Sequence, residues 1–449
     1  MSSLEGVEQP AKCDVLVIGG GPAGSTISTL LVEKGWRVVL LEKDHHPRFH
    51  IGESLLPMNL PILARLGVLE EVAKIGLFKP GIEISSPSPP GRSHTFYFEN
   101  TLDQDYPYAF EVRRSEFDAL LLANSVTRGV AVHQGVKVTD VTFQKGGASV
   151  VRARAEDGSE RNWQAGFVVD ASGRDALLST RLGLKERNEK HNSAAIFAHF
   201  KNALRREGRD EGNIALYWFE HGWFWMIPLA DGAMSVGAVC WPDYLKTRRG
   251  GLDEFFWETI RLCPGVAQRL ESSELVRPAT ATGNFSYWSR RMWGEGYLLI
   301  GDAYAFIDPV FSSGVYLAMH SATLAVDAVD SCVSEGRTAT AALRRYEKRV
   351  LRGMRTLSWF IYRFTTPAMQ NLFMAPRNTL SMEQAVLSVL SGDVFRKNGL
   401  ALPIALFKTL YYLVAAINLG RSWGAYRRRK QNRAPVHPAS TDGAGPRPV

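Results

Sequence analysis

A glycine-rich turn between a buried strand and a helix is the feature that most constrains the fold of this chain. The apolar run CDVLVIGG ends in glycines, a pattern typical of a buried parallel strand. The pattern GxGxxG follows, formed by Gly19, Gly21 and Gly24, and it opens a segment with helical apolar spacing. A second apolar run, RVVLLE, ends at Glu42. Strand, helix and strand in this order predict a βαβ unit.

The same positions predict a dinucleotide site. The first glycine allows a tight turn, the second lets the backbone approach a pyrophosphate, and the third lets helix and strand pack closely. The helix N-terminus adds amide donors and the positive end of its dipole. Glu42 lies 18 residues after Gly24, where a carboxylate can hold ribose hydroxyls. A turn selected only for packing is the alternative.

Composition and charge exclude several classes of protein. The chain has 449 residues, of which 45% are hydrophobic and 22% charged, which excludes collagen, coiled coils and wholesale disorder. Its four cysteines form no CxxC pair, so we expect no disulfide framework and no metal site. Of the net charge of +8, +5 lies after residue 426, so the folded body offers no broad surface for nucleic acid. The N-terminal segment has no apolar core of a signal peptide, which predicts a cytoplasmic location.

The hydrophobic patterns predict an α/β protein with an inserted sheet. Aromatic-rich runs such as AAIFAHF, IALYWFE and WFWMIP indicate antiparallel strands, whereas GYLLIG returns to the buried-strand pattern. The predicted organisation is a Rossmann-like three-layer dinucleotide-binding domain (1–190 and 285–335), a mostly antiparallel substrate domain (191–284), a helical C-terminal region (336–432) and a disordered tail (433–449).

Six short motifs carry a family resemblance. GGGPAG, DASGRD and GDAYAFIDP together resemble the FAD-binding fold of the aromatic-ring hydroxylase superfamily. GESLLP, FKPG and WFWMIP look like the flavin-dependent halogenases, whose tryptophan-x-tryptophan-x-isoleucine-proline signature is matched in full by Trp223, Trp225, Ile227 and Pro228. The resemblance covers about residues 12–330, and it implies FAD as the cofactor.

The resemblance also implies a reaction. Reduced FAD, dioxygen and halide give hypohalous acid, which crosses a short tunnel to a lysine and halogenates an electron-rich aromatic ring. Lys79 matches that lysine, although most lysines are surface residues. Ser313 and Gly314 match the positions whose amides hold halide, with an ordinary helix start as the alternative. Trp223 and Trp225 would separate substrate from flavin, or would simply belong to the sheet core.

Further residues are assigned to the cofactor site. Asp302, at the end of a strand, can hydrogen-bond a ribityl hydroxyl or cap a helix. We choose Arg113 over Arg114 as the arginine near the flavin, with a surface ion pair as the alternative, and we expect Arg48 and Glu53 at the isoalloxazine edge. The predicted cofactor-binding residues are Gly19, Gly21, Ala23, Gly24, Glu42, Lys43, Arg48, Glu53, Ser54, Arg113, Asp302, Pro309, Gly314 and Val315.

One departure from the family pattern bears on the substrate. Tryptophan-type halogenases carry a glutamate just before the serine-x-glycine stretch, where this chain has Phe311. We therefore expect a phenolic, pyrrolic or carrier-protein-bound substrate rather than free tryptophan, with chloride or bromide as the halide. The sequence shows no second GxGxxG, so a separate NAD(P)H-dependent flavin reductase is the expected partner.

Other functions stay open at this stage. An FAD-dependent aromatic monooxygenase would share every cofactor motif, and an isoprenoid-saturating reductase would share the fold. A non-catalytic scaffold or carrier-binding protein is a third alternative. The WFWMIP and FKPG motifs favour the halogenase over the first two, and the intact glycines with Asp302 argue against the third.

The segment 400–419 is long, mostly apolar and followed by a basic cluster. It is compatible with a helix packed on the body, an interfacial anchor that contacts a membrane peripherally through 400–430, or a membrane span. Pro403 and Lys408 count against the span.

Overall fold

The structure, a computed structural model, describes residues 10–86, 92–188, 191–283, 286–336, 339–376, 378–396, 399–418, 420 and 424. The predicted tail 433–449 lies outside these residues. The strands are β1 (Ala11–Ile18), β2 (Val38–Leu41), β3 (Leu77–Lys79), β4 (Gly81–Ser85), β5 (Ser93–Tyr97), β6 (Ala109–Glu111), β7 (Ala131–His133), β8 (Val136–Thr142), β9 (Ser149–Ala155), β10 (Glu160–Asp170), β11 (Lys185–Arg187), β12 (Ala194–Lys201), β13 (Ile214–Phe219), β14 (Gly222–Pro228), β15 (Met234–Cys240), β16 (Glu274–Leu275), β17 (Thr280–Thr282), β18 (Tyr287–Ser289), β19 (Trp293–Gly294), β20 (Tyr297–Leu299) and β21 (Ala305–Phe306). The helices are α1 (Pro22–Glu33), α2 (Leu60–Leu66), α3 (Leu69–Ile75), α4 (Arg114–Thr127), α5 (Leu177–Arg181), α6 (Pro242–Leu245), α7 (Leu252–Arg261), α8 (Pro264–Arg269), α9 (Ser313–Ser334), α10 (Thr340–Ile361), α11 (Pro367–Met374), α12 (Met382–Leu390) and α13 (Ala401–Ile417).

The first sheet carries the predicted βαβ unit. Its strand order is β19-β20-β10-β1-β2-β7, and the five strands from β20 to β7 run parallel. Helices α1, α4 and α9 pack together against this sheet, and β1 is buried from Val15 to Ile18, as its apolar run predicts. The carboxyl ends of β1, β2, β10 and β20 lie together at one edge, which is where ligands bind in doubly wound sheets.

The second sheet is mostly antiparallel, as predicted. Its order is β16-β12-β15-β14-β13-β4-β5, with β17 beside β12, and β4 pairs in parallel with β13. Strands β13, β14 and β15 are buried on both faces, which explains their continuous apolar and aromatic runs. The mixed α/β architecture predicted from the sequence is therefore confirmed.

Two strands lie in a different sheet from the one that the sequence suggests. The prediction places all of 1–190 in the dinucleotide-binding domain, but β4 and β5 extend the second sheet through the pairing of β4 with β13. Ile82 and Ile84 of β4 are buried in that arrangement. The pairing joins segments about 130 residues apart, so no local pattern reveals it. Between the two sheets, β3 and β6 form a short antiparallel ribbon.

The C-terminal region is helical through α13. One face of α13 packs on the body through Ile404, Phe407 and Tyr411, which are buried. Helices α11 and α12 form most of the surface that it covers. Among the described residues, no helix combines the length and apolarity needed to cross a membrane.

Candidate functional site

The glycine-rich turn is fixed by close backbone contacts. Gly19 has a φ of +103°, a conformation that favours glycine, and a Cβ on Gly24 would overlap the carbonyl oxygen of Gly19. The carboxylate of Glu42 accepts hydrogen bonds from the amides of Gly20 (2.5 Å) and Asp44 (2.9 Å). Glu42 thus joins the end of β2 to the turn, and Gly24 has the packing role that the motif predicts.

A cleft of about 270 Å³ opens above this turn. It runs along the carboxyl edge of the first sheet from β2 to the N-terminus of α9. Burial raises the pKa of Asp302, on its wall, to about 6. Of the predicted cofactor residues, those lining the cleft are Gly19, Gly21, Ala23, Glu42, Lys43, Arg48, Asp302, Gly314 and Val315.

The cleft fits a flavin dinucleotide. The Nε atom of Arg48 is buried there, 3.8 Å from a carboxylate oxygen of Asp44 but without a hydrogen-bond partner among the described residues, so it can donate to a bound anion. A Cβ on Gly314 would meet no atom within 4 Å, so the start of α9 is open to close approach by a ligand. Lys43 pairs with Asp175 at the rim (2.6 Å). The donors suit a pyrophosphate, and the open backbone at the start of α9 suits a flavin ring. The acid at the strand end, Asp302, suits a ribityl hydroxyl.

The structure favours Arg114 over Arg113 in this site. Arg113 pairs with Asp231 and does not line the cleft. Arg114, which is 5% exposed, does line it and forms two hydrogen bonds with Asp118 (2.8 and 2.9 Å). Arg113 is the extended residue just before α4, and its side chain makes no capping hydrogen bond. Arg114 is the first residue of the helix, so the two side chains point in different directions.

A second, mostly apolar cavity of about 120 Å³ joins the cleft. The two share the surfaces of Arg114, Asp302, Gly314 and Val315. Pro309 and Ser312 line it near the start of α9, and residues 50–54 also line it. The remaining wall comes from the second sheet, with Ala195, Phe197, Ile214, Trp223, Trp225 and Ile227.

Trp223 and Trp225 lie on the same face of β14, as their spacing predicts. Their ring centroids are 6.0 Å apart, and both side chains are buried. Trp225 lies flat against Gly237 of β15, where any Cβ would overlap the indole. Its Nε1 donates to Ser235 Oγ (3.3 Å). The pair therefore forms part of both the sheet core and the cavity wall.

Lys79 is completely buried next to this cavity, which its hydrogen-bond partner Ser54 lines. It ends strand β3, and its Nζ donates to Ser54 Oγ (2.7 Å) and to the Leu55 carbonyl oxygen (2.9 Å). Ser54 lines the cavity, so its hydroxyl links the cavity to the amine. Burial lowers the pKa of Lys79, opposed by the negative charge of Glu111. The structure places Ser54 beside Lys79 rather than in the dinucleotide cleft.

Glu111 is an acidic partner of Lys79 that the sequence did not reveal. Its Oε1 lies 3.7 Å from the Nζ of Lys79, and neither carboxylate oxygen has a hydrogen-bond partner among the described residues. Burial raises the pKa of Glu111 to about 7, with Lys79 opposing the shift. The sequence predicts no lysine–glutamate pair like that of tryptophan-type enzymes, because Phe311 replaces their glutamate. The pair here comes from another element, β6, so only the three-dimensional pairing of β3 and β6 shows it.

Two other predicted residues occupy distinct positions. Glu53 lines the apolar cavity and binds His199 Nε2 through both oxygens (2.9 and 3.0 Å), with both residues buried. Ser313 begins α9 beside Gly314 and is buried. The preceding Ser312 has a φ of +54°, which turns the chain into the helix. Gly314 and Val315, at the start of α9, line both the cleft and the cavity, whereas Ser313 lines neither.

The residues that sequence reasoning missed are Arg114, Glu111 and His199. The spacing of Arg114 and Asp118, one helical turn apart, was a usable signal for a buried pair. No sequence signal marks Glu111 or His199, because the partner of each residue lies in a distant segment of the chain.

Comparison with known proteins places this geometry in a family. The sequence matches the tryptophan halogenase family over residues 14–104 and 91–384. It is 33% identical over 408 residues to the 1H-pyrrole-2-carbonyl-(peptidyl-carrier protein) chlorinase of Pseudomonas fluorescens, covering 85% of this chain and 89% of that one. It is 36% identical over 356 residues to tryptophan 2-halogenase of Chondromyces crocatus, covering 77% of this chain and 66% of that one.

A solved structure agrees with the sequence matches. The myxobacterial chondrochloren halogenase CndH, described as a variant of FAD-dependent halogenases, superposes with a TM-score of 0.76 at 32% identity, covering 90% of this chain and 97% of that one. The chain therefore belongs to the tryptophan halogenase family and is an FAD-dependent halogenase.

Proposed function

We propose that this enzyme makes hypohalous acid from halide, dioxygen and reduced FAD, and that Lys79 delivers the halogen to an electron-rich aromatic ring. One observation carries the proposal: the apolar cavity that shares lining residues with the dinucleotide cleft is also lined by the tryptophan pair and by Ser54, whose hydroxyl accepts a hydrogen bond from Lys79. When bound, the reduced flavin supplies the electrons that activate dioxygen. The first amides of α9, at Ser313 and Gly314, bind the halide.

Lys79 acts as a neutral amine in this proposal. Burial favours the neutral form, and Glu111 is placed to hold the proton that the ammonium group releases. The amine binds hypohalous acid (HOX) by a hydrogen bond and reacts as Lys–NH₂ + HOX → Lys–NHX + H₂O. The ring then takes the halogen as Lys–NHX + ArH → Lys–NH₂ + ArX, so the proton of the ring replaces the halogen on nitrogen. Trp223 and Trp225 keep the ring away from the flavin and exclude water from the passage.

The proposed substrate is a phenolic, pyrrolic or carrier-protein-bound ring. Phe311 is buried against Phe364 (ring centroids 5.3 Å apart), so no carboxylate stands at the position where tryptophan-type enzymes have theirs. Rings activated by a hydroxyl or a pyrrole nitrogen need less assistance from such a charge. The name of the Pseudomonas relative supports a carrier-bound pyrrole, whereas that of the Chondromyces relative makes free tryptophan the necessary comparison.

The reductant is proposed to come from a second protein. The sequence holds a single GxGxxG, and the cleft above it is the one assigned to FAD. An NAD(P)H-dependent flavin reductase would supply reduced FAD, and chloride or bromide would be consumed with each turnover.

Product mass spectrometry tests the proposal. The purified enzyme is given FAD, a flavin reductase, NADH, air and bromide, with free phenols, free pyrroles, their carrier-bound forms and tryptophan. We expect a mass gain of one bromine, with its isotope doublet, on a phenolic or pyrrolic ring. A gain of one oxygen would instead identify a monooxygenase, and preference for tryptophan would overturn the substrate assignment.

The variant Lys79→Met isolates the role of the lysine. It keeps the volume of the side chain but removes the amine, so FAD binding and flavin oxidation should persist while brominated product falls by about 100-fold or more. Lys145→Met, at an exposed surface position, is the matched control and should match the wild type. Equal product from Lys79→Met and the wild type would remove Lys79 from the mechanism.

A further inference from the structure

A row of cations lies along the solvent side of helix α10. The opposite side of the helix is buried through Leu343, Tyr346, Val350 and Leu357. At a rise of 1.5 Å per residue, the row is about 16 Å long. We call it the basic row; all of its members are exposed, and they are Arg344, Arg345, Lys348, Arg349, Arg352 and Arg355.

The basic row is not neutralised within the described parts of the chain. No carboxylate there lies within 4.0 Å of any of its six side chains. The acid within this stretch, Glu347, is half-buried and accepts a hydrogen bond from Trp293 Nε1 (3.1 Å). Like charges one helical turn apart destabilise a helix. A row of this kind therefore indicates an anionic partner outside the fold.

Helix α13 adjoins the C-terminal end of the basic row. Trp359 follows Arg355 by one turn, and its ring packs on those of Tyr411 (5.2 Å) and Tyr412 (6.4 Å) of α13. Arg363, one turn further, donates from Nη2 to Tyr412 Oη (3.0 Å). The cation-bearing side of α10 therefore adjoins the surface of α13.

The outer face of α13 is apolar and exposed. Leu402, Tyr412, Leu413 and Ile417 are 69%, 53%, 58% and 83% exposed, and the helix contains no acidic residue. Its single cation, Lys408, lies over the ring of Trp359 at 5.1 Å. Large apolar side chains that remain exposed beside a polar rim mark an interaction surface.

We propose that the basic row and the outer face of α13 together bind the surface of an anionic membrane. The apolar side chains of α13 would enter the boundary between headgroups and acyl chains, while the cations of α10 contact lipid phosphates. An acidic protein or a nucleic acid would satisfy the cations but leave the apolar face in water, so lipid accounts for both observations. The sequence from 421 to 433 contains six basic residues and no acid. Binding is peripheral, and it is independent of the halogenation reaction.

Vesicle sedimentation tests the proposal. The full-length, FAD-loaded enzyme is mixed with vesicles of phosphatidylcholine alone or with about one third phosphatidylglycerol. We expect sedimentation with the anionic vesicles, little with the neutral ones, and progressive release as the salt concentration rises. Absence of binding to anionic vesicles, or equal binding to both kinds, would overturn the proposal.

The charge-reversal variant Arg345→Glu/Lys348→Glu/Arg352→Glu tests the basic row. Each cation near an anionic surface contributes about a fivefold gain in partitioning, so reversal of three should weaken binding by about 100-fold or more. The exposed positions should leave the fold intact, which FAD binding and thermal unfolding verify.

Two comparison variants complete the test. Arg248→Glu/Arg249→Glu/Arg261→Glu makes the same change of net charge at exposed positions of the second domain, and it should bind anionic vesicles within a few-fold of the wild type. Leu413→Ser/Ile417→Ser should weaken binding at every salt concentration, because it removes apolar contacts rather than charge. Equal losses in the two charge variants would indicate a net-charge effect and overturn the assigned surface.

Discussion

Lys79 and Glu111 form a buried pair of ionisable groups next to the apolar cavity, which Ser54 joins to the amine of Lys79. Burial lowers the pKa of Lys79 and raises that of Glu111, so it favours the neutral form of each group. The charge of each partner opposes that shift. Because both are completely buried and 3.7 Å apart, the protonation state of one affects the pKa of the other, so they titrate as a coupled pair. The pair gives the proposed reaction an amine that can lose its proton without contact with solvent.

The variant Glu111→Gln should move the pH dependence of halogenation. Glu111 raises the pKa of Lys79, so its removal lowers that pKa further. Since the amine must be neutral to act, the acid limb of the pH–rate profile should move to lower pH by about one unit or more. Rates of bromination between pH 5 and pH 9 measure the shift. Glu116→Gln, exposed on α4, is the control, and an unmoved acid limb in Glu111→Gln would contradict the role of the pair.

The variant Gly314→Ala should impair halide use without affecting stability. A methyl group there meets no protein atom within 4 Å, so it would project towards the space shared by the cleft and the apolar cavity. We expect the KM for bromide to rise by about tenfold, while the Tm stays within about 2 °C of the wild type. Steady-state kinetics over a range of bromide concentrations measure this. An unchanged KM would place the halide away from Gly314.

Among the structural elements, the β3–β6 ribbon determines where Lys79 lies. Its strands pair so that Lys79 stands opposite Ala109 and Leu77 opposite Glu111. The segment before β13 supports the ribbon from outside, because Gly212 packs against the carbonyl oxygen of Phe78. The position of the amine thus depends on a residue that is far from it in sequence and carries no functional group.

The variant Gly212→Ala should displace the ribbon. Its Cβ would overlap the Phe78 carbonyl oxygen, so β3 must move and carry Lys79 with it. We expect halogenation to fall by about 100-fold while FAD affinity is retained, because the cleft lies on the other sheet. Titration of FAD and the product assay separate the two effects. Gly251→Ala, where an added Cβ meets no atom within 4 Å, is the control; wild-type activity in Gly212→Ala would show that the ribbon tolerates the shift.

Considered as a whole, the molecule keeps all of its thiols in the interior. Cys13, Cys240, Cys263 and Cys332 are buried and unpaired, and burial raises the pKa of each thiol, to about 12 for Cys13 and about 11 for Cys263. The thiolate is the reactive form of cysteine. The proposed reaction makes hypohalous acid, and this arrangement would protect the thiols from oxidation by it.

Thiol labelling tests that arrangement. At pH 8 a chromogenic disulfide reagent should react with almost none of the thiols of the native enzyme, because these thiols are both inaccessible and protonated. Four thiols should react once the protein is unfolded in denaturant. Rapid reaction of one or more thiols in the native enzyme would show that the interior opens on the time of the assay.

The sequence by itself determined the features that depend on local spacing. The GxGxxG turn, the buried strands, the same-face tryptophans and the start of α9 follow from short-range sterics and periodicity, and the structure places each as predicted. The choice of Arg113 failed because both neighbours fit the motif, and only the geometry of α4 separates them.

Only the tertiary structure decided which distant groups meet. The pairing of β4 with β13, the Lys79–Glu111 and Glu53–His199 contacts, and the packing of α13 all join segments far apart in the chain. Such contacts depend on how elements pack in space, and one sequence carries no local record of that packing. Motif spacing therefore located the cofactor cleft, whereas the partner of the buried amine became visible only when two strands were placed side by side.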